Sequence, residues 1–169
     1  QGIPLGAETK ETTFKVLFLD VGLLLSACGL ELEEVMDAND LLAVNKGAVC
    51  EQVIGQHLLY RREPYHNPEL HYWARQKASS NAEVDYVVAV GSLVVPVEVK
   101  AGTTGALRSL HQFVYRRDLP LGVRFNQDLP SFTLARGRLT TGETYNYDLL
   151  SLPLYMVGEL DRLVRGWGG

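Results

Sequence analysis

The sequence has little cysteine and no paired-cysteine motif. Cys28 and Cys50 stand in no CxxC arrangement, and Cys50 falls inside a helical pattern. Such residues are expected to be free thiols of a reducing compartment rather than a disulfide framework. No apolar run approaches the roughly 18 residues of a membrane span, and no secretory leader is visible. The expectation is therefore a cytoplasmic chain without a membrane partner. Excess positive charge is missing too: 16 Lys and Arg against 20 Asp and Glu leave a formal net charge of −4. That balance excludes a general attraction for nucleic acid or anionic lipid, while leaving room for a local basic groove. There is no GxxxxGK[ST] phosphate loop, so no ATP site of that kind is expected. His57, His66, His71 and His111 form no HExxH-type ligand spacing. Internal repeats, low-complexity segments and linkers are also lacking.

What remains is a globular composition, 46% hydrophobic and 21% charged over 169 residues, enough for a single domain spanning 1–169. The chain opens at Gln1 without a methionine and reads as a piece of a larger protein. Residues 13–19 (TFKVLFL) read as a strand. Asp20 suits the N-cap of a short helix over Val21 to Cys28, ended by Gly29. Residues 31–37 read as a short solvated helix. Apolar positions 49, 53, 54, 58 and 59 predict a helix over 46–62. Three strands follow at 70–74, 82–90 and 93–99, then an amphipathic helix over 106–118. Residues 121–125, 131–135 and 143–148 read as short strands, Leu152 to Val157 as extended, and 158–165 as a closing helix. The core order is helix, three strands, helix, strand.

The segment AEVDYVVAVGSLVVPVEVK (82–100) carries the chemistry. A two-residue Gly91-Ser92 turn pairs Val90 with Leu93, and the register puts Asp85 opposite Glu98 and Glu83 opposite Lys100. Opposed residues share a sheet face, so Glu83, Asp85, Glu98 and Lys100 are predicted to form one charged patch. Val84, Tyr86 and Val88 face the other way with Val95, Val97 and Val99, as core. Opposed carboxylates repel unless a proton or cation intervenes, and hard oxygen ligands at this spacing suit Mg2+ or Mn2+. Lys100 stands two residues from Glu98, where its ammonium offsets charge on a phosphate or orients a water. On a helical wheel Glu51 lies beside the buried face of 46–62, and Gly55, one turn on, allows another backbone to approach closely. The alternative is a solvated sheet face with a Glu83–Lys100 surface pair.

Glu51 in a helix, Asp85 in a strand and Glu98-Val99-Lys100 at a strand end resemble the signature of the PD-(D/E)XK nuclease superfamily, with Val84 in place of its proline. The resemblance implies a restriction-endonuclease-like αβββαβ core, a mixed central sheet flanked by helices. It implies Mg2+ or Mn2+ held by Glu51, Asp85 and Glu98, with Lys100 as a fourth catalytic residue. A closer resemblance, to the domain-of-unknown-function family 4143, rests on FKVLFLDVGLL (14–24), GAVCEQVIGQHLL (47–59), LHYWAR (70–75), EVDYV, PVEVKAG (96–102), SLHQF (109–113) and LPLYMVG (152–158). It implies an AAA-type ATPase upstream in the same chain. Gln112 and Tyr115 resemble a glutamine-tyrosine element of helicase-associated nucleases, and lie on the polar side of their helix.

Two functions compete. The first is a metal-dependent nuclease domain acting on DNA. The second is a non-catalytic nucleic-acid- or protein-binding module of the ATPase, which the acidic balance favours. Tyr72 and Trp73 are expected to pack rather than to stack on bases. Arg61, Arg62, Arg75, Lys77, Arg116, Arg117 and Arg124 are the cations available for a phosphate track.

Overall fold

The computed structural model describes all residues except 1–2, 11, 30–40, 63–64, 78–79, 104 and 168–169. The helix expected over 31–37 lies outside the described residues. Among the described residues, four helices pack around one six-stranded mixed sheet: α1 (Val21–Ala27), α2 (Leu41–Leu59), α3 (Arg108–Arg117) and α4 (Leu160–Trp167). The strands are β1 (His71–Lys77), β2 (Ser80–Val90), β3 (Leu93–Val99), β4 (Leu121–Asn126), β5 (Ser131–Arg138) and β6 (Thr144–Pro153). Their spatial order is β1-β2-β3-β4-β6-β5. β1, β2 and β3 are antiparallel neighbours, β3–β4 and β4–β6 are parallel, and β5 runs antiparallel to β6 at the far edge. From α2 to β4 the order is the expected αβββαβ.

Each sheet face carries its own core. On one side α2 presents Cys50, Ile54 and Leu58, one turn apart, to Tyr86, Val88, Val95, Val97, Val99, Val123 and Phe125, joined by Val157, Leu160 and Val164 from the C-terminal end. On the other, Leu110, Phe113 and Val114 of α3 pack on Val84, Val87, Tyr147 and Leu149. The β2–β3 hairpin turns at Gly91-Ser92 with Val90↔Leu93 and Tyr86↔Val97 in register, as expected. Gly91 takes φ +61°, the left-handed conformation that this tight loop demands of its first residue. Asp20 caps α1 by accepting from the Leu23 amide at 2.8 Å, and both cysteines are free. Among the described residues no helix is long and apolar enough to cross a membrane.

Three expectations fail. Residues 13–19 form no strand. Instead, side chains of α2 take up the backbone groups of Phe18: Gln52 Oε1 accepts from the Phe18 amide, and the amide groups of Gln52 and Gln56 donate to the Phe18 carbonyl at 2.8 and 3.2 Å. The β-type composition was real, but a buried glutamine supplies the partner that a neighbouring strand would have supplied. At 152–157 the strand ends at Pro153 and a 3-10 helix, Leu154–Glu159, leads into α4. Val84 does not share a face with Tyr86. It packs against α3 together with Val87. The cause is a β-bulge: His71 pairs with Val87 and Trp73 with Val84, so Asp85 and Tyr86 together oppose Tyr72, and the alternation of faces slips by one.

Candidate functional site

The bulge in β2 builds the site. Beyond the last Tyr86↔Val97 pair the β2–β3 ladder opens, and the Asp85 carboxylate enters the gap, its Oδ2 accepting from the Val99 amide at 2.7 Å. A side chain thus replaces the carbonyl that would have continued the ladder, and Asp85 is held at the junction of the two strands. The predicted four-charge patch is divided around it. Glu83 turns toward α2, where one oxygen each of Glu51, Glu83 and Asp85 lie within 4.8 Å of one another. Glu98 alternates with the core residues Val97 and Val99 and so projects toward the α3 side, where its charge acts on the Tyr147 phenol. Lys100 donates to Glu98 Oε1 at 2.6 Å. The Glu83–Lys100 pair does not form. Glu83 pairs with Lys15 at 2.7 Å.

Lys15 went unremarked in the sequence. Its ammonium donates to Glu51 Oε1, binds Glu83, and lies 3.5 Å from the Asp85 carbonyl oxygen. It also sits 5.5 and 5.3 Å from the ring centroids of Tyr72 and Tyr86, within cation–π range. Burial alone would lower its pKa, but the hydrogen bonds to Glu51 and Glu83 outweigh that and hold it above the usual lysine range. The signal was present: a lone lysine inside the apolar run TFKVLFL needs a partner once that run is covered.

Glu51 reaches the cluster because α2 lies close against β2. The Tyr86 hydroxyl donates to the Glu51 carbonyl at 2.9 Å. Gly55 makes room for that ring: a Cβ there would stand 2.8 Å from Tyr86 Cζ and 2.9 Å from Leu17 Cδ2. The close neighbour expected at Gly55 is therefore a pair of side chains, not a backbone. Burial, then the charge of Glu51, pushes the Tyr86 phenol far above its ordinary value.

Burial, and after it the nearby charge of Glu98, raises Asp85 to about 7, against the Val99 hydrogen bond that opposes the shift. Glu98 is 5% exposed and is also raised by burial, with Lys100 pulling the other way. Its second oxygen, Oε2, is buried with no hydrogen-bond partner. Three carboxylates that converge within 4.8 Å, one of them buried enough to be raised to about 7, offer the hard oxygen donors that a divalent cation takes. The residues therefore fit Mg2+ or Mn2+, with Glu51, Glu83 and Asp85 as the compact oxygen set.

Several other candidate residues have structural partners. Arg61 pairs with Asp161 and donates to the Ala89 carbonyl at 2.7 Å, and Arg124 donates to Ser151 at 3.2 Å. Neither is free to follow a phosphate backbone. Trp73 packs against Phe113, with ring centroids 5.2 Å apart. His111 stacks on Tyr145 and contacts the Tyr147 hydroxyl at 2.8 Å. Gln112 is partly covered and Tyr115 exposed.

The architecture defines a mixed α/β protein whose acidic cluster sits where an antiparallel hairpin opens beside a helix. The profile of the family described as Domain of unknown function (DUF4143) matches residues 46–145, from within α2 to the start of β6. The chain belongs to that family. Comparison with curated proteins and with solved structures gives no match.

Proposed function

We propose that this chain, residues 1–169, is a single PD-(D/E)XK-type domain from the C-terminal part of a larger AAA-type ATPase, and that its cluster is a divalent-metal-dependent site for hydrolysing phosphodiester bonds of DNA. The observation that carries this reading is Asp85, locked by Val99 between the Glu51–Glu83 and Glu98–Lys100 groups and raised to about 7. Of the three carboxyls that crowd together, Asp85 is the one whose burial makes its charge costly without a cation. Glu51, Glu83 and Asp85 would hold Mg2+ or Mn2+. The ion would neutralise the phosphate and lower the pKa of a bound water. Glu98 fixes the Lys100 ammonium, which offsets negative charge growing on phosphoryl oxygens.

A second reading, a non-catalytic module that binds nucleic acid or protein, is favoured by Lys15. Its ammonium already spans Glu51 and Glu83, so the site carries a counter-ion of its own. Cleavage assays on single-stranded, duplex and branched DNA, with Mg2+ and with Mn2+, separate the two. They should use both this chain and the parent ATPase. On the hydrolytic reading Lys100→Ala slows cleavage about a hundredfold, the scale of losing one transition-state charge contact, and keeps metal binding. Asp85→Asn abolishes both. Failure of the parent to cut any of these substrates, or unaltered cleavage by Lys100→Ala, decides for the binding module.

A further inference from the structure

The two edges of the sheet differ. β1 is interrupted by the bulge opposite Asp85 and Tyr86, and Phe14 and Lys15 of the N-terminal segment line a cavity together with its Tyr72 and Trp73. β5, at the far edge, has no such irregularity. Its residues Ser131–Arg138 pair with β6 from Ser131↔Ser151 to Arg138↔Thr144 without a register shift, and no proline lies among them. Among the described residues no strand pairs with its outer side. An edge that is neither bulged, broken by proline nor paired is a template for another strand. The register fixes which groups face outward. The Leu139 amide donates to the Glu143 carbonyl at 2.7 Å, and hydrogen-bonded pairs recur at every second residue of an antiparallel ladder. Odd-numbered residues of β5 therefore bond to β6. On β6, Asp148, opposite Leu134, donates its amide to the Pro120 carbonyl instead, at 2.9 Å. The backbone N–H and C=O groups of Phe132, Leu134 and Arg136 thus point away from the sheet. Their side chains share one face with Arg138. Phe132 and Leu134 are 53% and 47% exposed, and Arg136 and Arg138 are exposed too.

Along the strand this set runs apolar, apolar, basic, basic, and an antiparallel copy runs the opposite way. We propose that β5 pairs with β5 of a second copy of this chain, antiparallel about a two-fold axis at Leu134, so that two sheets join into one. Leu134 then meets Leu134 of the second copy, and Phe132 meets its Arg136, a guanidinium against an aromatic ring. On the other face Thr133 meets Ala135 and Ser131 meets Gly137, all small enough for close approach. Phe132, Leu134 and Arg136 each exchange two backbone hydrogen bonds with their opposite residue, about six in all. No arginine opposes an arginine, and no carboxylate is needed to balance one. An axis one residue on, at Ala135, would set the two Arg136 side chains diagonally beside each other, and a parallel copy would run the arginines side by side. The chain is therefore complementary to itself in one register, as a two-fold contact requires. β2, which carries Asp85, is separated from β5 by β3, β4 and β6, so the contact does not use the carboxylate cluster and does not rest on the hydrolytic reading.

The test is sedimentation equilibrium of this chain from about 5 to about 500 µM, because a one-strand interface is small and implies a weak dimer. Amide hydrogen exchange, read by NMR at both ends of that range, locates the contact. The expected result is a monomer–dimer equilibrium. The Phe132, Leu134 and Arg136 amides should exchange several-fold more slowly at the high concentration, whereas those of Thr133 and Ala135, already bonded to β6, should not change. Leu134→Lys sets two ammonium groups face to face and should weaken association about tenfold. Leu134→Pro removes the outward N–H while sparing the bonds to β6, and should weaken it at least as much. Tyr155→Lys adds the same charge at a residue outside β5 that is 81% exposed, and should associate as wild type does. A monomer at every concentration, equal association of wild type and Leu134→Lys, or exchange at Phe132, Leu134 and Arg136 that ignores concentration would overturn the proposal. Protection gained only when an extended acidic peptide is added would assign the edge to another chain and overturn it as well.

Discussion

At the scale of single residues, Asp85 concentrates the tension in this molecule. Its pKa is raised from 3.8 to about 7, first by burial and then by Glu98. The folded state therefore holds the Asp85 proton more firmly than the unfolded state does. Stability from this group is complete below about 4 and is lost as pH rises through about 7. Asp85→Asn keeps an oxygen for the Val99 amide and carries no charge. Thermal denaturation should therefore show its Tm several degrees above wild type at pH 8 and close to wild type near pH 4. A wild-type margin at pH 8 would mean the carboxylate is already compensated. Lys15 is the complementary case. Lys15→Met removes the ammonium that bridges Glu51 and Glu83, so the apo protein should lose stability while Mn2+ affinity, read by calorimetry, tightens several-fold. Weaker Mn2+ binding would identify Lys15 as part of the binding geometry rather than a competitor. Asp85, Glu98 and Lys100 were legible as a set because each residue type is dear to bury. Lys15 was not, because its partners are 36 and 68 residues away in the chain.

Among the elements, the decisive contact is α2 against β2. Both were readable, α2 from its apolar spacing and the hairpin from Gly91-Ser92. Their approach was readable only in part, at Gly55. Alanine is the better helix former by about 1 kcal/mol, so a loosely packed site would gain from Gly55→Ala. Here the new Cβ meets Tyr86 and Leu17, and overpacking of this kind costs about 1–3 kcal/mol. Urea denaturation should show net destabilisation, and metal affinity should fall as α2 carries Glu51 away from β2. A stabilised variant would show that Tyr86 moves aside freely. The bulge at Asp85 and Tyr86 was invisible beforehand. It contains no glycine, and it depends on how β1 is registered against β2 rather than on the residues within it.

For the molecule as a whole, the hydrophobic clusters on the two sheet faces make folding and site assembly one event: Val97, fully buried against α2, is next to Glu98. A ligand that binds only the folded chain raises Tm by mass action. Mn2+ at about a hundred times its dissociation constant should contribute about 2.7 kcal/mol, a rise of about 5–10 °C for a domain of this size. Asp85→Asn should abolish that rise, and an equal rise in both proteins would locate the metal elsewhere. The sequence by itself determined the αβββαβ order, the hairpin register, and the apolar faces of α2 and α3. These follow from local periodicity and turn chemistry, which act over a few residues. Tertiary structure alone decided that β2 bulges, that Glu83 joins Glu51 while Glu98 turns to Lys100, and that Lys15 stands among the carboxylates. Each depends on strand pairing or on charges brought together from distant parts of the chain, and no local pattern encodes such distances.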